Sequence, residues 1–243
     1  MTYKAEPVEN ALHIEKHIIT KIMEECMDEE EGRVLHTIYL TNDKPTCFRY
    51  QIAKTQGYKE NRKDPRPIHF RAVREYLIKQ WGAEVADPLL EADDAVGILA
   101  SSLPPGITPI IVGIDKDLDT IKGLHYNFVT DQHYAVSEVE SYKNFFTQML
   151  AGDGNDNVPG IKGIGAITAE KMLDYESWAN ENGISLEDID EGELISWMND
   201  QVLDAYFNHF NGEDDYGELA EEKFEEMFHL LWILRSEDQL ADT

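Results

Sequence analysis

Apolar residues recur at helical spacing between positions 8 and 28, where Ala11, Leu12, Ile14, Ile18, Ile19, Ile22, Met23 and Cys26 mark one face of an amphipathic helix. Val34 to Leu40 is β-branched and apolar enough for a buried strand. Pro45, Gly57, Pro65 and Pro67 then punctuate 44–67, which predicts irregular structure with short helices. Ile68 to Trp81 returns to helical spacing, and Glu84 to Ala86 suits a short strand. Glu91 to Ser102 reads as a helix with acids in its first turn, where the macrodipole favours negative charge. Pro109 to Ile114 and Leu124 to Val129 are further strands, and Ser137 is a suitable N-cap for a helix reaching Leu150. Beyond Gly165 the pattern is helical nearly to the end, broken at Asn182-Gly183 and Asn211-Gly212.

Strands alternating with helices predict an α/β fold with a mostly parallel, doubly wound sheet flanked by helices. An α/β core over 1–137 and a helical lobe over 138–243 follow. Ligands of such sheets gather at the carboxyl ends of the strands. Asp43 follows the strand ending at Leu40 and Asp115 the strand ending at Ile114, so both fall on one rim. Asp115 and Asp117 face the same way while the backbone stays extended, and Glu91 and Asp94 share a helix face.

Composition adds a boundary and a contradiction. The 243 residues suffice for one sizeable core with an appended lobe. Met1 to Glu9 has no apolar h-region and no run approaches membrane-spanning length, so no membrane association and a cytoplasmic location are expected. Cys26 and Cys47 form no disulfide or zinc framework and read as reduced thiols. The net charge of −27 argues against a nucleic-acid partner until its distribution is examined. Residues 44–79 hold ten Lys or Arg against three acids, a local +7, whereas 174–243 is −19. A basic segment in an acidic chain is an electrostatic footprint.

Three acidic knots remain: Glu91-Ala-Asp93-Asp94, Asp115-Lys-Asp117 and Asp153-Gly-Asn-Asp156. The last runs into Val158-Pro-Gly-Ile-Lys-Gly-Ile-Gly165, a glycine-punctuated turn of the kind that grips phosphate through backbone N–H groups. Converging carboxylates stay ionised only around hard cations. Two Mg²⁺ or Mn²⁺ ions roughly 4 Å apart would activate water, neutralise a phosphate and stabilise the leaving oxygen of a phosphodiester. Asp43, Glu91, Asp93, Asp94, Asp115, Asp117, Asp153 and Asp156 are the candidate ligands.

Four segments in order resemble the structure-specific 5′-nucleases, the flap endonucleases and 5′–3′ exonucleases, with the phage branch nearest. They are FRYQIAKTQGYKENR (48–62), EADDAVGILA (91–100), GIDKDLDTI (113–121) and GDGNDNVPGIKGIGAITAEKML (152–173). The resemblance implies a 5′-nuclease/PIN-like core with a helix–three-turn–helix DNA-binding element in the C-terminal lobe. It implies that Glu91, Asp93, Asp94 and Asp115 hold a first metal and Asp117, Asp153 and Asp156 a second, with Asp43 matching an acid at the second strand's end. Tyr58, Lys59 and Arg62 match the base of a helical arch, spanning the basic segment 44–79, where Lys59 and Arg62 would steer the scissile phosphate. Gly163, Ile164 and Gly165 match the duplex-gripping turn, with a monovalent cation such as K⁺. Arg49, Lys116, Lys162 and Lys171 are further DNA contacts. A monomer acting on DNA with a 5′ flap, nick or duplex end is expected, with RNA–DNA hybrids or RNA primers as additional substrates.

One departure stands out. The family begins with a strand bearing Leu-Ile-Asp-Gly/Ala, whereas this sequence starts near where the following helix begins. Impaired cleavage is therefore expected of the chain as written, and a non-catalytic DNA-junction binder of the same fold is the alternative. A DNA-mimicking acidic protein is a third, disfavoured by the +7 segment. His13 and His17 stand at i and i+4 without a third ligand and are expected to be surface residues. The aromatic tail pattern (Trp197, Tyr206, Phe207, Phe210, Phe224, Phe228, Trp232) reads as core of the C-terminal lobe.

Overall fold

A computed structural model describes residues 6–27, 35–44, 46–210 and 217–242. Helix α1 (Val8–Glu25) leads to strand β1 (Tyr39–Leu40), the short helix α2 (Arg49–Ile52), helix α3 (Phe70–Trp81), strand β2 (Glu84–Val85) and helix α4 (Ala92–Ser102). Strand β3 (Ile110–Val112), a 3₁₀ turn (Lys116–Thr120), strands β4 (Gly123–Asn127) and β5 (Gln132–Val136), and helix α5 (Glu138–Ala151) follow. Strands β6 (Gly152–Asp153) and β7 (Val158–Pro159) then precede helices α6 (Ala166–Met172), α7 (Tyr175–Glu181), α8 (Glu191–Phe210) and α9 (Glu218–Leu231). None of the described helices is long and apolar enough to cross a membrane. The first residues, Val34, Pro45 and the expected break at Asn211-Gly212 lie outside the described residues.

The α/β class stands, but in place of one mostly parallel sheet the described residues form three short ones. β1 pairs in parallel with β2, β3 in parallel with β4, β4 antiparallel with β5, and β6 antiparallel with β7. Strand β5 was not expected. Gln132 to Ala135 are all exposed and only Val136 is buried, so the segment lacks the alternation that marks a half-buried strand. Its hairpin is made locally: Asn127 Oδ1 accepts from the N–H of Val129 and of Thr130, at 3.0 and 3.1 Å.

Helix α5 organises the molecule. Ser137 caps it, its hydroxyl accepting from Glu140 N–H at 3.2 Å while Glu140 Oε2 accepts from Ser137 N–H at 2.8 Å. Phe145, Met149 and Leu150 are fully buried, in a cluster with Met198, Val202 and Tyr206 of α8 and Met227 and Leu230 of α9. Trp197, Phe210, Phe224, Phe228 and Trp232 pack there too, so the tail aromatics other than Phe207 belong to this core. Removing one such ring would cost about 3–5 kcal/mol. The cluster also takes in Cys47, Phe48 and Tyr58, so one core crosses position 137 and ties the basic segment to the helical lobe.

Between α5 and α6 the chain makes a close crossing. A Cβ on Gly152 would lie 2.2 Å from Gly160 N, and one on Gly160 would lie 2.2 Å from the Ala151 carbonyl carbon. Only glycine permits that approach, and it fixes where Asp153 points.

Candidate metal centre and nucleic-acid interface

Four chain segments deliver side chains to one cleft. Glu91 caps α4 and Asp93 lies in its first turn. Asp115 caps the 3₁₀ turn after β3, its carboxylate accepting from Asp117 N–H at 3.1 Å. Asp153 ends β6 and accepts from Asn155 N–H at 2.6 Å, a local bond that turns the loop so that Asp156 comes beside it. The segment from Gly57 to Arg62 lies across that loop, with Asn61 donating to Gly154 O at 2.6 Å and Asn157 donating to Gly57 O at 2.8 Å.

The cleft is lined by Glu91, Asp93, Asp117, Asp153, Asp156, Tyr58, Arg49 and Gln148, over an apolar floor of Leu230, Leu231 and Ile233. A wider groove of about 590 Å³ adjoins it, lined by Asn61 to Pro67 on one side and by Asp115, Asp117 and Gly154 to Asp156 on the other. Asp117 and Asp156 belong to both.

Repulsion among these acids is visible in their protonation. Burial, together with the charges of Glu91 and Asp115, pushes the Asp93 carboxyl up to about 7. Burial and the charges of Asp115 and Asp153 push Asp117 up to about 6. Neutral donors and lysines fill the space between them. The Tyr58 hydroxyl lies 2.6 Å from Glu91 Oε2 and 2.8 Å from Asp156 Oδ2, one proton shared between two acceptors. Gln148 donates to Asp117 Oδ1 at 2.8 Å. Lys59 Nζ stands 2.5 Å from Glu91 Oε1 and 3.3 Å from Asp156 Oδ2, and Arg62 pairs with Asp156 Oδ1. Among the described residues, no three acids, histidines or cysteines converge closely enough to enclose an ion.

Three expected residues are used differently. Asp94 is wholly buried, and Arg49 takes both of its oxygens at 2.7 and 2.8 Å while the N–H groups of Glu91 and Leu234 donate at 3.0 and 3.2 Å. Burial alone would raise its pKa, but Arg49 and these hydrogen bonds hold it below the usual carboxylate range. Arg49, expected at DNA, spends its remaining donors on the carbonyls of Leu230 and Trp232 and is 3% exposed. The two side chains are thus engaged with each other and with backbone, with Arg49 still bordering the cleft. Asp43 pairs with Arg66 at 2.8 Å and Arg74 at 3.6 Å, outside the two clefts.

The glycine-punctuated turn is exposed. Gly163 has φ +93°, Gly165 caps α6, and Ile164 N–H donates to Ile161 O at 3.0 Å. Lys162 and Lys171 are exposed, as is Ile167, while His13 and His17 sit exposed on α1. Gln148 was missed. Its signal was a polar residue set within the apolar face Phe145, Met149 and Leu150, a position that demands a partner. Glu226 was missed too; it accepts from the N–H groups of Lys54 and Thr55, each at 2.6 Å, and anchors the basic segment on α9.

No family model matches the chain. Among curated proteins it is 27% identical over 192 residues to the thermostable DNA polymerase I of Thermus aquaticus, covering 74% of this chain and 22% of the polymerase. It is 33% identical over 144 residues to the flap endonuclease Xni of Shewanella sediminis, covering 51% and 54% of the two. With the 5′-3′ exonuclease of Bacillus subtilis it shares 28% over 180 residues, covering 67% and 57%. The chain thus spans from about a fifth to just over half the length of these relatives. In structure it superposes on the zinc-bound T5 5′-exonuclease with a TM-score of 0.51 at 13% identity, covering 89% and 91% of the two chains. The T5 D15 protein co-crystallised with metal ions gives 0.51 at 14%, covering 92% of each. The resemblance carried by the four motifs is therefore met by sequence relatives named as 5′-nucleases and by the fold of one.

Proposed function

We propose that this chain, a relative of the 5′-nucleases, is a divalent-metal-dependent 5′–3′ exonuclease or flap endonuclease that hydrolyses phosphodiesters of branched, nicked or 5′-ended DNA. One observation carries the reading: five carboxylates (Glu91, Asp93, Asp117, Asp153, Asp156) share a cleft whose rim bears Lys59 and Arg62.

The donor set suits hard cations, being all oxygen, with Asp93 and Asp117 held toward their neutral forms by burial and by the charges of neighbouring carboxylates. Glu91, Asp93 and Asp115 would hold one ion, and Asp117, Asp153 and Asp156 a second. Bound there, the ions would supply an ionised water and neutralise the phosphate. The protein's own part is positioning. Tyr58 fixes Glu91 against Asp156, Gln148 fixes Asp117, and the floor of Leu230, Leu231 and Ile233 keeps the local dielectric low. Lys59 and Arg62 would steer the scissile phosphate along the wider groove, and the Gly163 to Gly165 turn would hold duplex backbone through its N–H groups. RNA primers are a second substrate class for the same groove.

One alternative is a junction binder with impaired turnover, favoured by the ammonium groups of Lys59 and Lys116 that already lie against Glu91, Asp156, Asp153 and Asp117. A labelled 5′-flap substrate separates the two. Mg²⁺-dependent product that disappears with chelator and in Asp117→Asn supports the enzyme. Tight flap binding without product supports the alternative.

A further inference from the structure

We infer that Lys59 and Lys116 are built-in counter-cations of the acidic cleft, so that divalent ions enter by exchange with their ammonium groups and thereby free both side chains. The inference rests on the metal-dependent reading above and concerns how that site is kept before metal arrives.

The geometry is paired. Lys59 Nζ bridges Glu91 and Asp156 at 2.5 and 3.3 Å, linking the start of α4 to the loop after β6. Lys116 Nζ lies 3.5 Å from Asp153 Oδ2 and 3.7 Å from Asp117 Oδ1, linking that loop to the 3₁₀ turn after β3. Each ammonium therefore sits between carboxylates from two different segments, as an ion bridging them would. Lys59 is held there firmly. Its side chain is 12% exposed, its N–H donates to Asp156 O at 2.8 Å, and its backbone stands at φ +54°, a left-handed conformation that strains a residue with a Cβ. Lys116 is 63% exposed, so it can leave at little cost.

An ammonium and a divalent ion compete for the same oxygens, and they repel each other if both stay. Even two unit charges about 4 Å apart change binding by about fivefold at the dielectric of water, and a divalent ion feels twice that energy. Exchange also couples two events. Lys59 reaches a phosphate only once Glu91 and Asp156 have another cation, so phosphate steering would follow metal loading.

Calorimetric titration of the full chain with Ca²⁺, alongside amine-reactive labelling read by mass spectrometry, tests this. Lys116→Gln and Lys59→Gln should each take up Ca²⁺ at least about fivefold more tightly than the parent. Lys116→Arg, which keeps the charge, should bind like the parent, and Ca²⁺ should raise labelling of Lys59 while leaving Lys162 unchanged. Parent-like or weaker Ca²⁺ uptake by both glutamine variants overturns the exchange but leaves the metal-dependent reading intact. A parent that takes up no Ca²⁺ overturns both.

Discussion

Arg49 and Asp94, 45 residues apart in sequence, meet in a bidentate ion pair of 2.7 and 2.8 Å from which solvent is excluded. The pair locks α2, which carries the base of the basic segment, onto α4, which carries Glu91 and Asp93. Replacing one partner leaves a buried charge without compensation. Arg49→Ala should therefore destabilise the protein by about 3–5 kcal/mol, whereas Arg49→Met combined with Asp94→Leu should recover much of the loss. Denaturant unfolding of the parent and the two variants provides the check. Ca²⁺ uptake by the double variant should match the parent, because Asp94 holds the cleft together without facing it.

Gln148 should act through Asp117. Its amide orients one oxygen of that carboxylate from the floor side of the cleft, the place where a supporting hydrogen bond tunes a ligand. Gln148→Leu should lower flap cleavage by about 10- to 100-fold. Raising the Mg²⁺ concentration should restore part of the rate. An unchanged rate would show that Asp117 needs no such support.

The metal-free protein should lose stability as pH rises. Asp93 and Asp117 have pKa values of about 7 and about 6, above the ordinary carboxylate value, so the folded state binds their protons more tightly than the unfolded state. Their contribution is complete below about pH 4 and is lost as pH climbs through about 6 and 7. In chelator, Tm should fall across that window, and Asp117→Asn should flatten the fall. Ca²⁺ should remove it, since the ion binds the ionised carboxylates. A chelated protein whose Tm is level between pH 5 and 8 would contradict the repulsion described here.

Lys59 and Arg62 should matter to the chemical step more than to affinity. Lys59→Ala and Arg62→Ala are expected to reduce single-turnover cleavage by about 100-fold or more, as loss of charge stabilisation at a reacting phosphate does. Lys162→Ala and Lys171→Ala should instead weaken duplex binding and shift the slope of log K against log salt by about one unit each. Equal effects of both pairs on binding alone would remove the distinction between groove and turn.

The fold was legible where information is local. Helices α3, α4 and α5 fall within two residues of their expected limits because capping and apolar spacing are written nearby, as Ser137 and Glu140 illustrate. The sheet was harder to read. β5 carries no burial pattern, and pairing of β1 with β2 is set by contacts across more than 40 residues. The site divides the same way. Asp153-x-x-Asp156 follows from spacing within one turn, whereas Asp117 lies in a 3₁₀ turn capped by Asp115 rather than on an extended strand end. The fates of Asp94 and Asp43 do not follow from spacing, because each is claimed by a distant arginine, Arg49 or Arg66, that sequence spacing cannot place. Lys116 was read as a DNA contact, and its nearness to Asp153 is again a tertiary fact.

The central claim is that carboxylates from separate segments form one seat for paired hard cations. Anomalous diffraction from crystals soaked in Mn²⁺ addresses it directly. Two peaks about 3.5–4 Å apart, bounded by Glu91, Asp93, Asp117, Asp153 and Asp156, are the predicted result. A cleft without density at saturating Mn²⁺, or ions bound only on the acidic surface of α7 and α8, would contradict it.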